Sequence, residues 1–247
     1  MMYWVFKAIL KPPLRAAYEI RAEGADNIPK AGPAIIAANH VSFLDSFFIP
    51  LCVDKRKVTY LAKSDYFKSW KTSWFFKAVG QIPVDRDDRK KSQAALEVGL
   101  EVLADGNLLG IYPEGTRSPD GRLFRGRTGV ARLALRSGAP VIPCGITGSK
   151  EVMPKGARVP KLMEPNGRIR VKVRFGEPLD FSRYRDREAD RFVLRSITDE
   201  IMYEIMQLSG QTYVNEYASR ASTLPLPEST RPILQDDRDL SEEAIAG

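Results

Sequence analysis

A single histidine occurs among 247 residues, and it stands in the run Asn39-His40-Val41-Ser42-Phe43-Leu44-Asp45. An imidazole that donates one ring N–H to a carboxylate keeps its other nitrogen basic, which is the arrangement of a general base. On a continuous helix, positions 40 and 45 stand roughly 140° apart and their side chains cannot meet. They can meet if His40 lies in a loop and a helix begins between the two. The Ser42-x-x-Asp45 spacing has the form of a capping box, which predicts a helix N-cap at Ser42 with Asp45 in the first turn. The same spacing allows Asp45 merely to cap its helix, so the motif alone leaves both roles open.

A second cluster is Glu114-Gly115-Thr116-Arg117, directly after the apolar run Leu108 to Tyr112. That order puts it at the carboxyl end of a strand, where open α/β sheets place their sites. Gly115 lets backbone approach a ligand, and the Arg117 guanidinium suits bidentate binding of a phosphate. Arg86 also closes a strand-like run, and Arg125-Gly126-Arg127-Thr128-Gly129 precedes a helical pattern whose N-terminus would attract an anion. Basic groups at the ends of elements beside one His-Asp pair suggest a phosphate-bearing substrate whose neighbouring hydroxyl loses its proton.

These residues need a scaffold. Ala34–Ala38 reads as a short buried strand, with further strands at Val58–Ala62, Gln81–Arg86, Leu108–Tyr112, Val141–Ile146 and Ile169–Phe175. The last of these alternates, with Arg170, Lys172 and Arg174 facing outward. Helical periodicity covers Tyr66–Val79, Lys91–Leu103, Val130–Leu135 with Gly138 as C-cap, and Arg187–Leu208. Strands alternating with helices give the α/β class, a single mixed, largely parallel sheet layered between helices. Segment 23–32 carries turn signals, and no internal repeat is present.

Composition bounds the partners. The formal charge is +7. Residues 222–247 hold two basic and six acidic side chains, so the rest of the chain carries +11. So basic a body attracts anions, and with no nucleic-acid-binding motif the partner is an anionic membrane surface or a phosphorylated substrate rather than nucleic acid. Cys52 and Cys144, far apart in apolar surroundings, read as buried thiols, and one histidine without a cysteine cluster argues against a metal site.

Residues Met1 to Leu10 are apolar apart from Lys7, and Pro12-Pro13 is expected to stop that run. Ten residues are too few to span a bilayer, which takes about 20. Either the helix packs on the core, or it lies in the lipid interface with Trp4 and Phe6 buried in lipid and its lysines towards headgroups. The Tyr66–Trp74 aromatic stripe suits core packing and membrane contact equally. The expected organisation is a membrane-associating segment over 1–22, a catalytic domain over 23–215 and a disordered acidic tail over 216–247.

Four ordered blocks, Asn39-His40-x4-Asp45, Gly80–Arg86, Tyr112-Pro-Glu-Gly-Thr-Arg-Ser118 and Val141–Ile146, resemble those of the glycerolipid acyltransferase family, of the 1-acyl-sn-glycerol-3-phosphate acyltransferase type. The resemblance implies that His40, oriented by Asp45, deprotonates the hydroxyl of lysophosphatidic acid, which then attacks an acyl thioester without a covalent acyl-enzyme. It implies that Arg86, Glu114, Gly115, Thr116 and Arg117 hold the acceptor phosphate. Arg127 stands where many relatives have a phosphate-binding lysine and, by the resemblance, would hold the phosphate with them. Val141, Ile142 and Pro143 would shape the acyl-donor side. The donor would be acyl-CoA or acyl carrier protein, no cofactor is required, and the work would be done peripherally at the cytoplasmic face of the cell membrane. The third block opens on Tyr112 where phenylalanine is commoner, which reads as neutral. Three readings compete: another lysolipid or glycolipid as acceptor, a hydrolase with Ser42 as nucleophile, and a non-catalytic membrane-binding module. The hydrolase lacks a Gly-x-Ser-x-Gly elbow.

Overall fold

The computed structural model describes residues 2–68, 73, 76, 80–84, 89–157, 159–165 and 167–221. Helix α1 (Met2–Ala17) leads into β1 (Glu19–Glu23), followed by β2 (Ala34–Ala38), α2 (Asp45–Leu51), β3 (Val58–Lys63) and β4 (Gln81–Val84). Next come α3 (Arg89–Ala104), β5 (Leu108–Ile111), β6 (Leu123–Phe124), α4 (Gly129–Ser137), β7 (Val141–Thr147) and α5 (Ser149–Val152). The chain continues through β8 (Met163–Glu164), β9 (Gly167–Arg168), β10 (Arg170–Phe175), α6 (Arg191–Ser209), β11 (Tyr213–Val214) and α7 (Ala218–Ala221).

The main sheet has seven strands in the order β1-β10-β7-β2-β5-β3-β4. All pairings are parallel except β10 with β7, so β1 and β10 run opposite to the other five. The sheet is mixed and largely parallel, as the strand-helix alternation predicts.

Strand β2 is its centre, and none of its five side chains is exposed. A parallel strand between two layers is buried on both faces, which is why this run carries no polar residue. Its alternate side chains divide the core. Ala34, Ile36 and Ala38 pack with Phe48 and Ile49 of α2, while Ile35 and Ala37 pack beneath α3, α4 and α6. Each fully buried Ile or Phe contributes about 1.5–3 kcal/mol.

Several boundaries differ from expectation. Pro12 and Pro13 do not stop α1, which continues to Ala17. Proline's φ is itself helical, and both rings sit on the exposed side of the helix. Strand β1 lies at the sheet edge, with Glu19 and Glu23 paired to Arg170, Lys172 and Arg174 of β10. The folded domain therefore begins ahead of residue 23. It also extends past 215, since Ala218 is fully buried and Arg125 donates its N–H to the Glu216 carbonyl at 2.9 Å. The long helix starts at Arg191 because Asp190 caps it, accepting from the N–H groups of Phe192 and Val193. A 3₁₀ turn occupies Ser182–Arg187 instead. A 3₁₀ turn over Ser64–Phe67 likewise opens the expected Tyr66–Val79 helix. Most of that segment, with Trp70 and Trp74, lies outside the described residues, as do Arg86 and 222–247. Gly138 is the α4 C-cap, its φ 66° and its N–H on the Ala134 carbonyl at 2.9 Å.

The N-terminal helix has two apolar faces with different fates. Tyr3, Phe6, Leu10 and Leu14 face α2, lining a small crevice with its Phe47, Pro50 and Leu51, and Leu14 packs on the core. Lys7 is buried with them, donating to the Val53 and Asp54 carbonyls just beyond the α2 C-terminus, and burial lowers its pKa to about 8. Lys11 pairs with Asp54 at 3.0 Å. The two lysines thus clamp α1 to the domain rather than reaching for headgroups, and Phe6 points inward. On the other side Met2, Trp4, Val5 and Ile9 are exposed, Ile9 by 62%. No helix among the described residues is long and apolar enough to cross a membrane.

Candidate active site

Adjacent parallel strands that stop together bring their following loops together. Strands β2, β5 and β7 are neighbours, with Ala37 opposite both Ile111 and Pro143. The loops 39–44 and 112–118 and the start of α5 therefore share one rim. Two bonds tie the rim: Ser118 donates its N–H to the His40 carbonyl at 2.7 Å, and Asn39 exchanges both amide bonds with the Ile146 backbone at 2.8 and 2.9 Å. Asn39 is wholly buried, so leaving its amide unmatched would cost about 1–3 kcal/mol.

His40 Nδ1 lies 2.9 Å from Asp45 Oδ2. That oxygen also accepts the N–H groups of Val41 and Ser42 at 2.9 and 2.8 Å, and Oδ1 accepts the Ser149 hydroxyl at 2.6 Å. A carboxylate so used is an acceptor towards the ring as well, which places the imidazole proton on Nδ1 and the lone pair on Nε2. Asp45 is fully buried, while His40 keeps 16% of its side chain exposed. The helix begins at Asp45 with Leu44 as N-cap, two residues later than the capping-box form predicts. Half of the box forms: the Asp45 carboxylate takes the Ser42 N–H, but the Ser42 hydroxyl accepts from Leu44 at 3.2 Å. The same hydroxyl donates to the Met153 carbonyl at 2.8 Å and is wholly buried, which removes Ser42 as a nucleophile.

His40 opens onto a cavity of about 220 Å³ shared with Phe43, Tyr60, Tyr112, Gly115, Thr116 and Arg117. The Arg117 guanidinium has no ion-pair partner among the described residues. Gly115 turns the loop with φ 76°, a conformation that glycine adopts without strain. Three of the residues expected at the phosphate thus line the His40 cavity.

Glu114 does not. It is 1% exposed, and its carboxylate accepts the N–H groups of His40 at 3.0 Å and Phe124 at 2.9 Å. Burial pushes its pKa up to about 7, against the lowering effect of those two amides. A buried anion would repel a phosphate, so Glu114 is a brace under the His40 backbone. Arg127 also departs from expectation: it lines a neighbouring apolar cavity of about 260 Å³ between α3 and α4. Its guanidinium lies 5.2 Å from the Tyr217 ring centre and donates to Ser219 at 3.1 Å. Val141, Ile142 and Pro143 are buried inside β7, between β10 and β2, and reach neither cavity. Their aliphatic bulk supports the strand that carries Asn39 and His40. Sequence pattern does not single out Ser149, and although Asn39 and Tyr112 open two of the motif blocks, nothing in those blocks names the partners that the fold gives them. Cys52 and Cys144 are buried as expected, and burial drives the Cys52 thiol to about 11.

The acyltransferase family model matches residues 19–147. The chloroplastic 1-acyl-sn-glycerol-3-phosphate acyltransferase of Arabidopsis thaliana is 33% identical over 57% of this chain and 39% of its own length, so the match spans about two-fifths of that relative. The enzyme of the same name from Bacillus subtilis is 26% identical over 85% of this chain and 98% of its own. Among solved structures, the 1-acyl-sn-glycerophosphate acyltransferase of Thermotoga maritima superposes with a TM-score of 0.63 at 27% identity, covering 84% of this chain and 80% of that one. The motif-bearing loops, the sheet that aligns them and these matches agree: the chain belongs to the acyltransferase family.

Proposed function

We propose that this protein transfers a fatty acyl group from an acyl thioester to the free hydroxyl of lysophosphatidic acid, giving phosphatidic acid. The observation that carries the reading is the His40 Nδ1–Asp45 Oδ2 contact of 2.9 Å at the mouth of a cavity that also holds Arg117. His40 Nε2 takes the hydroxyl proton while Asp45 stabilises the imidazolium that forms. The alkoxide oxygen attacks the thioester carbonyl, the C–S bond breaks, and the imidazolium returns its proton to the leaving thiolate. Arg117 and the Gly115-Thr116 backbone hold the acceptor phosphate near this base. The names of the relatives support lysophosphatidic acid as acceptor.

The test is thiol release from acyl-CoA, and in a parallel arm from acyl carrier protein, with and without lysophosphatidic acid. Release requires the acceptor, and His40→Ala lowers it by on the order of 10²–10⁴ while circular dichroism stays unchanged. Near-normal turnover by that variant refutes the reading, and release without acceptor makes the protein a hydrolase.

The exposed face of α1 completes the proposal. Met2, Val5 and Ile9 point away from the domain on a helix whose other side packs on α2, which carries Asp45. Such a face lies in the lipid interface and sets the protein at the cytoplasmic surface of the membrane, beside its lipid acceptor. Val5→Glu with Ile9→Glu is expected to lower sedimentation with anionic vesicles about tenfold or more, leaving turnover of a short-chain, soluble acceptor intact. Undiminished vesicle binding removes α1 as the anchor.

A further inference from the structure

Asp45 holds His40 by one edge, and one hydrogen bond to Nδ1 leaves the ring free to tilt about that contact. The direction of the Nε2 lone pair lies in the ring plane, so whatever fixes the plane aims the base. In this structure the plane is fixed by Tyr112. The two rings lie 3.8 Å apart, centre to centre, at an interplanar angle of 9°. Tyr112 in turn stacks on Tyr60 at 5.3 Å and 18°. Tyr60 lies over Gly110, its registered neighbour on β5, so closely that a Cβ there would stand 2.4 Å from the ring. The stack therefore rests on sheet backbone and cannot retreat from His40.

The Tyr112 hydroxyl lies 2.9 Å from the Ser46 hydroxyl. Ser46 follows Asp45 in the first turn of α2. One helical turn thus sets two restraints, a carboxylate at the edge of the imidazole and a hydroxyl on the ring that faces it. The oxygen that separates tyrosine from phenylalanine at this position is the one that Ser46 engages. Burial raises the Tyr112 hydroxyl well above its ordinary pKa, so it stays a neutral phenol.

We propose that Tyr112, locked by Ser46, is a positioning residue that sets the plane of the His40 imidazole for proton abstraction. This rests on His40 being the base. The electron-rich face of Tyr112 also favours the imidazolium that forms during the reaction. Orientation of this kind is read in kcat rather than in acceptor affinity.

The chain has one histidine, so labelled histidine gives one set of ring resonances and reports the stack without any turnover. The wild-type ring protons are expected well upfield under the Tyr112 ring current. Tyr112→Leu moves them towards free-histidine positions, while Tyr112→Phe keeps them. Tyr112→Leu lowers kcat by on the order of 10–100-fold with acceptor KM within about twofold, Tyr112→Phe restores most of the loss, and Ser46→Ala costs a few-fold in kcat. Unshifted resonances in Tyr112→Leu overturn the stack, and a change confined to KM overturns the positioning role. If His40→Ala is inert and Tyr112→Leu turns over normally, the positioning role falls while the general base stands. If His40→Ala stays active, the base assignment falls, and the resonances alone still decide the stack.

Discussion

The two sides of the site are built differently. On the histidine side nearly every polar group is committed: Asp45 receives four donors, Glu114 two, and His40 is held by edge, face and backbone. On the arginine side, Arg117 reaches into the cavity and Arg127 is exposed, leaning on Tyr217. The first arrangement suits a group that must keep one geometry during proton transfer. The second suits a group that meets an anion already dressed in water and must adapt to it. On the proposed mechanism, rigidity sits where proton transfer needs aim, and freedom where an anionic acceptor needs charge.

Breaking the rigid side through Glu114 gives the larger effect. Its folded pKa of about 7 lies above the model-peptide value of 4.5, so the native state binds the proton more tightly than the unfolded chain does. The contribution is full below about 4.5 and is lost as pH climbs through 7, after which it levels. From pH 5 to 8 this group is expected to lower stability by about 2–3 kcal/mol. Glu114→Gln has one acceptor oxygen for two amides, so it costs about 1–3 kcal/mol at low pH but abolishes the slope. Urea midpoints of the two proteins, measured across that range, should converge as pH rises. Parallel curves would mean that Glu114 titrates alike in both states, and the histidine side would then be less dry than its burial indicates.

What the sequence reveals and what it hides follows the same division. Ala34–Ala38 is legible as a central strand because burial on both faces leaves no room for a polar residue. The His40-Asp45 pairing is legible because five residues of loop and first turn bring the groups together. The braces are not legible. Glu114 reaches His40 across 74 positions, Ser149 reaches Asp45 across 104 and Asn39 reaches Ile146 across 107. Only the strand order decides those meetings, and a parallel sheet with crossovers does not write its order into local periodicity. Charge also misleads locally. Glu114 and Arg117 sit in one motif and look alike as ligands for a polar substrate, yet one is buried against amides and the other lines the cavity.

The adaptable side is sharpened by comparing its two arginines. Arg117 shares the cavity with His40, whereas Arg127 borders the neighbouring one and is engaged with Tyr217 and Ser219. If the acceptor phosphate sits beside the base, Arg117→Ala removes a charged hydrogen bond made equally to substrate and transition state. That loss is about 2 kcal/mol, seen as a rise of roughly 30-fold in acceptor KM with kcat little changed. Arg127→Ala should cost the acceptor less than about threefold, because its charge lies farther along the rim and is screened there. Steady-state kinetics with lysophosphatidic acid, at low and high salt, separates the two. A larger penalty for Arg127 than for Arg117 would move the phosphate to the second cavity. The hydroxyl would then have to reach His40 from beyond Gly115, the one loop residue of the Glu114–Arg117 block that borders both cavities.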